Sequence, residues 1–253
     1  MLHRIFHITV TNWLSASSAA VALVLLSSTW APASQPVEVL RYEVTWNGQK
    51  AGHGDITTVR EGNHLNVTAQ AVSDGVLKAI LEIWSKVQSR FTPGTFEPHW
   101  YRFHLKSNLL PNEMVDLAFN RQTRQVTVDK SKGKERENHK EKYETLYDPV
   151  GAAFLLRNQA NLSKPMYVDI YDGKARCRLL VTPVGNGPGP LTVKGGSYTA
   201  QGVDLKLVKL TGDKEELAKA RLWFSCDRER IPLLLTSSPV VGSVRFELVQ
   251  VQR

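Results

Sequence analysis

From residue 40 the chain alternates. Leu40, Tyr42, Val44 and Trp46 are apolar, while Arg41, Glu43 and Thr45 between them are polar. That is the period of an extended segment buried on one face. Asn47-Gly48 follows at once, and both residues tolerate the positive φ that a two-residue hairpin turn requires. The pattern predicts a return strand from Gln49 to about Arg60, a turn at Glu61-Gly62-Asn63 and a third strand over His64–Ala71. Val76, Leu77, Ile80, Leu81 and Trp84 fit a helical stripe, yet Ile80–Phe91 also alternates. A short helical turn followed by a strand satisfies both periods. Further strands are expected at Tyr101-Phe103-Leu105, after a Pro93-Gly94 turn, then at Val115-Leu117-Phe119 and Gln125–Val128.

Lys130 to Lys142 is dense in charge of both signs, with six basic side chains against Glu135, Glu137 and Glu141. Mixed signs argue for a solvated hairpin tip rather than a nucleic-acid arm. Asp148-Pro149 then opens a central helix, an N-cap residue followed by proline at the first helical position. Val150, Ala153, Phe154 and Arg157 continue it at helical spacing. Strands return at Met166–Ile170, at Lys174–Val184 behind an Asp172-Gly173 turn, and at Gly202–Leu210, Ala220–Asp227, Ile231–Thr236 and Val244–Val251. Gly185 to Pro190 reads as a loop. About a dozen short strands at regular spacing indicate an all-β fold, an antiparallel barrel-like architecture (lipocalin-like or an incomplete barrel) with one short central helix. Residues 34–253 are expected to form a single β-rich domain, and two β units, if present, would meet near 145–165.

The first residues follow another logic. Arg4 is the only charged residue before Ser34; an apolar run from Ala16 through Val21, Leu23, Val24 and Leu26 leads to Ala31-Pro32-Ala33. Basic start, apolar middle and small residues at the cut are the order of a cleavable secretory signal, here residues 1–33. The apolar stretch is about 12 residues, short of the roughly 20 a membrane span needs. The periplasm is therefore the expected destination, with the extracellular side as the alternative, and no integral membrane protein is expected.

Export changes the reading of composition. Beyond residue 33 there are 31 basic and 24 acidic side chains, a surplus that attracts anionic partners at long range without naming one. Cys177 and Cys226 both lie in the exported part, and an oxidising compartment favours a disulfide between them. Closing a loop of that length would contribute about 4 kcal/mol. Two buried free thiols are the competing reading.

Candidate chemistry is sparse. No GxSxG, HExxH, P-loop or GxGxxG occurs after residue 33, and the SxxK at Ser131–Lys134 falls within the solvated charge run. His53 sits between Gly52 and Gly54 without ligand-spaced partners, and His99 and His104, five residues apart, fall on opposite faces of one strand. No metal site, cofactor or catalytic residue is assigned. Trp46, Trp84 and Trp100 each lie in or beside a strand, where an indole either fills the core or stacks on a ligand. Arg157 on the helix is a candidate anion contact. These four are the candidate ligand-binding residues.

Several stretches together resemble the exported bacterial family known as domain of unknown function 3108. They are Leu40-Arg41-Tyr42-Glu43-Val44; Tyr147-Asp148-Pro149-Val150 leading to Leu155-Leu156-Arg157; Tyr171-Asp172-Gly173-Lys174; Leu222-Trp223-Phe224-Ser225-Cys226-Asp227 with Arg230-Ile231-Pro232; and Gly242-Ser243-Val244. The likeness spans about residues 38 to 250. It implies a signal-bearing envelope protein with a twisted antiparallel barrel-like fold, and it brings no activity and no catalytic residues. The function expected is a non-catalytic binding or scaffolding module of the cell envelope for an anionic lipid-like (amphipathic) or glycan-type ligand, with no nucleic acid as partner. A hydrolase-type enzyme with a site assembled from scattered residues, and a structural partner in an envelope assembly, are the alternatives.

Overall fold

The structure, a computed structural model, describes residues 36–253 except 145, 160, 161, 212–214 and 239–241; the expected signal segment lies outside the described residues. β1 (Pro36–Trp46), β2 (Gln49–Glu61) and β3 (His64–Ser73) form the opening meander. Asn47 and Gly48 take φ of 49° and 78° at its first turn, as the hairpin chemistry demands. α1 (Gly75–Ile80) leads into β4 (Ile83–Phe91), β5 (Pro98–Ser107), β6 (Glu113–Asn120), β7 (Gln125–Lys132) and β8 (Glu135–Lys142). α2 (Pro149–Arg157) separates these from β9 (Met166–Tyr171), β10 (Arg176–Pro183), β11 (Gly189–Val193), β12 (Gly196–Lys209), β13 (Glu216–Ser225), β14 (Pro232–Ser237) and β15 (Val244–Gln252).

These strands make one antiparallel path in the order β8-β7-β6-β5-β4-β3-β2-β1-β15-β14-β13-β12-β10-β9, with β11 paired to the far half of β12. The β1–β15 ladder, from Val39↔Gln252 to Trp46↔Val244, joins the two halves. The path curls until its ends meet. Tyr171 Oη donates to Glu141 Oε1, and Arg176 Nη2 lies 3.0 Å from Glu141 Oε2. Just after β8, Tyr147 forms a parallel bridge to Ile170, donating to Asp169 O at 3.2 Å and accepting from Tyr171 N at 2.9 Å. A single bridge and a few side chains close the ring, so the fold is an incomplete all-β antiparallel barrel.

The inside is filled with side chains. Leu40, Val67, Val87, Phe91, Tyr101, Val115, Leu117, Val126, Leu233 and Leu248 are essentially inaccessible. α2 plugs the space between the halves, with Phe154 packed on Phe91 at 5.1 Å between ring centroids. Asp148 caps this helix: its Oδ1 accepts from Val150 N (2.8 Å) and Gly151 N (3.0 Å), and its Oδ2 accepts from Ser89 Oγ (2.8 Å). The β9–β10 turn is a second plug. Gly173 has φ of +84°, and a Cβ there would sit 2.4 Å from Val115 Cγ1 and 3.0 Å from Leu117 Cδ2. Only glycine fits both that backbone and that contact. Lys174 reaches Glu113 at 2.9 Å beneath the turn.

Two expectations are corrected. Cys177 and Cys226 are not bonded; the first thiol is buried and the second exposed. Cys177 pairs across from Lys209 on β12, whereas Cys226 N donates to Thr199 O, ten residues back along the same strand. At about 3.3 Å per residue that places the cysteines roughly 30 Å apart, far beyond the ~7 Å limit for bridged Cα atoms. The second correction concerns the Gly185–Pro190 loop: β11 begins inside it, at Gly189. A strand containing Pro190 survives because β11 pairs on β12 alone, an edge position where the missing N–H is tolerated.

Candidate functional site

β4 and β5 sort their side chains cleanly. Ser85, Val87, Ser89 and Phe91 on β4, and Tyr101, Phe103 and Leu105 on β5, are buried. The alternate positions, Trp84, Lys86, Gln88, Arg90 and Trp100, Arg102, His104, Lys106, therefore occupy the outer wall, since successive strand residues point to opposite faces. The register sets Trp84 opposite Lys106, Lys86 opposite His104, Gln88 opposite Arg102 and Arg90 opposite Trp100. The result is a track with an indole at each end and cations between. Six residues separate the end rows, about 20 Å of strand.

The track is ordered by its own contacts. Lys106 Nζ lies 5.4 Å from the Trp84 ring centroid, and His104 meets the same indole edge-on at 5.1 Å. Arg102 stands 5.3 Å from the Trp100 ring and pairs with Asp116 at 2.6 Å. Arg90 faces Glu61 at 3.6 Å. Among the described residues Lys86 and Lys106 have no carboxylate within ion-pair distance. His104 has its pKa lowered, first by burial and then by Lys106, against an upward pull from Asp116 and with a smaller downward one from Lys86. It is a neutral imidazole at neutral pH, set between two ammonium groups. Cations, a neutral donor–acceptor and two indole faces are groups that hold an anionic or sugar-bearing chain.

The other candidates lie elsewhere. Trp46 is on the inner side of β1, packed against the core three strands from Trp84. Arg157 has its guanidinium committed: it donates to Glu38 at 2.6 and 2.8 Å and to the Glu229 carbonyl at 2.8 Å. That clasp ties α2 to the start of β1 and leaves 12% of the side chain exposed. Cys226 borders a cleft of about 230 Å³ with Gln201, Phe224 and Arg230. Burial raises its pKa, Arg230 lowers it and Asp227 raises it, so the group is a protonated thiol at neutral pH. Two of the four candidate ligand residues, Trp84 and Trp100, thus share a surface, and the sequence analysis missed their basic neighbours. The signal was present: Trp100, Arg102, His104 and Lys106 recur with period two opposite Tyr101, Phe103 and Leu105.

Among the described residues no cluster of three histidine, cysteine or carboxylate side chains is placed to hold a metal, and no helix is long and apolar enough to cross a membrane. The family model described as "Protein of unknown function (DUF3108)" matches residues 41–249. The chain belongs to this DUF3108 family. No curated protein matches the chain. Among solved structures, a β-barrel-like protein of domain of unknown function DUF1849 from Brucella abortus is similar at a TM-score of 0.55 and 13% identity, over 85% of this chain and 96% of that one. A protein with a YmcC-like fold from Bacteroides fragilis aligns at a TM-score of 0.39 and 8% identity, over 87% and 97% of the respective chains. The Brucella structure carries the fold alone: the DUF3108 chain shares its barrel-like path.

Proposed function

We propose that this DUF3108 protein is a non-catalytic binding module of the bacterial envelope, working in the periplasm, whose outer β4–β5 wall holds an extended anionic glycan. The observation that carries this reading is the 20 Å-scale track of Trp84, Lys86, His104, Arg102 and Trp100. Its linear form suits a chain-like ligand better than a compact one. Indoles offer stacking faces, and Lys86 and Lys106, without a carboxylate partner among the described residues, offer charge. The order of residues 1–33 supports export, and the basic surplus of the remaining chain supports an anionic partner. A second reading, a structural partner in an envelope assembly, draws support from the packed interior, which leaves surfaces rather than a chamber for recognition.

Dextran sulfate is a suitable probe, with unsulfated dextran as its control. Titration followed by tryptophan fluorescence at low salt is expected to show binding of the sulfated chain alone. Exposed charges are screened beyond about 8 Å at physiological ionic strength, so affinity falls with salt, while aromatic contact leaves a residual part. Trp84→Ala or Trp100→Ala weakens binding about threefold to tenfold. Binding that ignores salt and both substitutions, or equal binding of plain dextran, overturns the reading.

A further inference from the structure

We infer that one end of the barrel, formed by α1, the β5–β6 loop and the β7–β8 turn, seats on an anionic lipid bilayer. Single exposed apolar residues are ordinary on protein surfaces. Here three gather at one end: Ile80, which closes α1, is 56% exposed, Leu109 on the β5–β6 loop 51%, and Met114, the second residue of β6, 42%. The connections are laced together. Glu82 N donates to Asn108 Oδ1 at 2.9 Å, Asn108 N to Glu82 O at 3.3 Å, and Gly133 N to Asn112 O at 2.8 Å. Ser107 Oγ accepts from the backbone N–H groups of Leu109 and Leu110 at 3.2 and 3.3 Å. Leu109 is therefore a prong on a preformed turn, and its insertion orders little new backbone.

Charge complementarity selects the occupant. Around the prongs stand Lys78, Lys106, Lys132 and Lys134, against Glu82 and Glu135. Lys78 pairs with Glu82 at 3.8 Å, whereas Lys106, Lys132 and Lys134 have no carboxylate partner among the described residues. Apolar tips ringed by lysines match a bilayer surface, whose acyl boundary takes the tips and whose anionic headgroups take the ammonium groups. Glycans offer nothing to an isoleucine, and prongs at turn tips form no groove for a folded partner. This surface adjoins the β4–β5 wall and shares Lys106 with it, while its apolar prongs lie outside that wall.

Hydrogen exchange on the full chain tests it, with vesicles of phosphatidylcholine and of phosphatidylcholine containing phosphatidylglycerol. Anionic vesicles are expected to slow exchange at least about threefold in residues 78–82 and 108–114, and neutral vesicles are not. Lys132→Glu with Lys134→Glu, or Ile80→Ser with Leu109→Ser, is expected to abolish that protection while β2–β3 amides stay protected, which confirms folding. No slowing with anionic vesicles, equal slowing with neutral ones, or slowing retained in both double variants overturns the inference. Protection by dextran sulfate in 84–90 and 100–106, without any vesicle effect at the prongs, overturns it and leaves the glycan reading standing.

Discussion

Asp148 shows how one buried carboxyl is both legible and surprising. The Asp-Pro start of a helix is local chemistry, and the cap forms as the sequence predicts. Its complete burial is not local, because Ser89 and the filled barrel impose it from 59 residues away. Burial raises the Asp148 pKa to about 6, against the opposing pull of the Gly151, Ser89 and Val150 hydrogen bonds. An unfolded aspartate titrates near 4, so the folded state keeps the proton between about pH 4 and 6. Stability from that proton is complete below about pH 4 and is lost as pH rises through 6, a change of about 3 kcal/mol. Asp148→Asn keeps the cap's acceptor and gives Ser89 a donor. Urea unfolding from pH 4 to 7 is expected to show the wild type losing this increment relative to the variant; parallel curves would refute it. Tyr101 makes the opposite case. Its hydroxyl is fully buried with no hydrogen-bond partner among the described residues, a cost of about 1–3 kcal/mol. Tyr101→Phe is therefore expected to be neutral or to raise stability by about 1 kcal/mol, and a loss beyond 1 kcal/mol would reveal a partner. Arg157 was invisible as a clasp for a simple reason: Glu38 is 119 residues distant.

Strands were legible wherever one face is wet, because period two then writes itself into the residues, as in β1 and β4–β6. Elements governed by distant packing were not. Nothing local to Tyr171-Asp172-Gly173-Lys174 distinguishes a surface hairpin turn from one docked on β6. Gly173→Ala tests that docking: a left-handed alanine and a Cβ 2.4 Å from Val115 Cγ1 should together cost about 3 kcal/mol. A thermal melt within a degree of wild type would contradict it. Strand order, too, is a long-range fact. The expected disulfide failed because β12 lies between β10 and β13, and Cys177 on β10 and Cys226 just past β13 stand beside opposite ends of it. Mass mapping without reductant is expected to find both thiols free after denaturation, and Cys226 alone rapidly labelled in the native protein. A linked Cys177–Cys226 peptide would require a different strand order.

At the scale of the whole molecule, the barrel-like class followed from the count and spacing of strands, while its state of closure did not. A few contacts at Glu141 and one bridge at Tyr147 seal it, and α2 and the Gly173 turn fill it. The filled interior leaves the wall as the proposed place of recognition, and Trp46 and Arg157, committed to the core and to Glu38, separate from Trp84 and Trp100. The candidate site was half legible: the indoles stand out in any sequence, but the register that aligns Lys86 with His104 and Arg102 with Gln88 exists only in the folded sheet. Backbone amide shifts during titration with dextran sulfate test this account most directly. Shifts confined to the outer wall, centred on residues 84–90 and 100–106, are predicted, with α2 and the β9–β10 turn silent. Shifts centred on Arg157, Trp46 or the Cys226 cleft, with the wall unmoved, would contradict it.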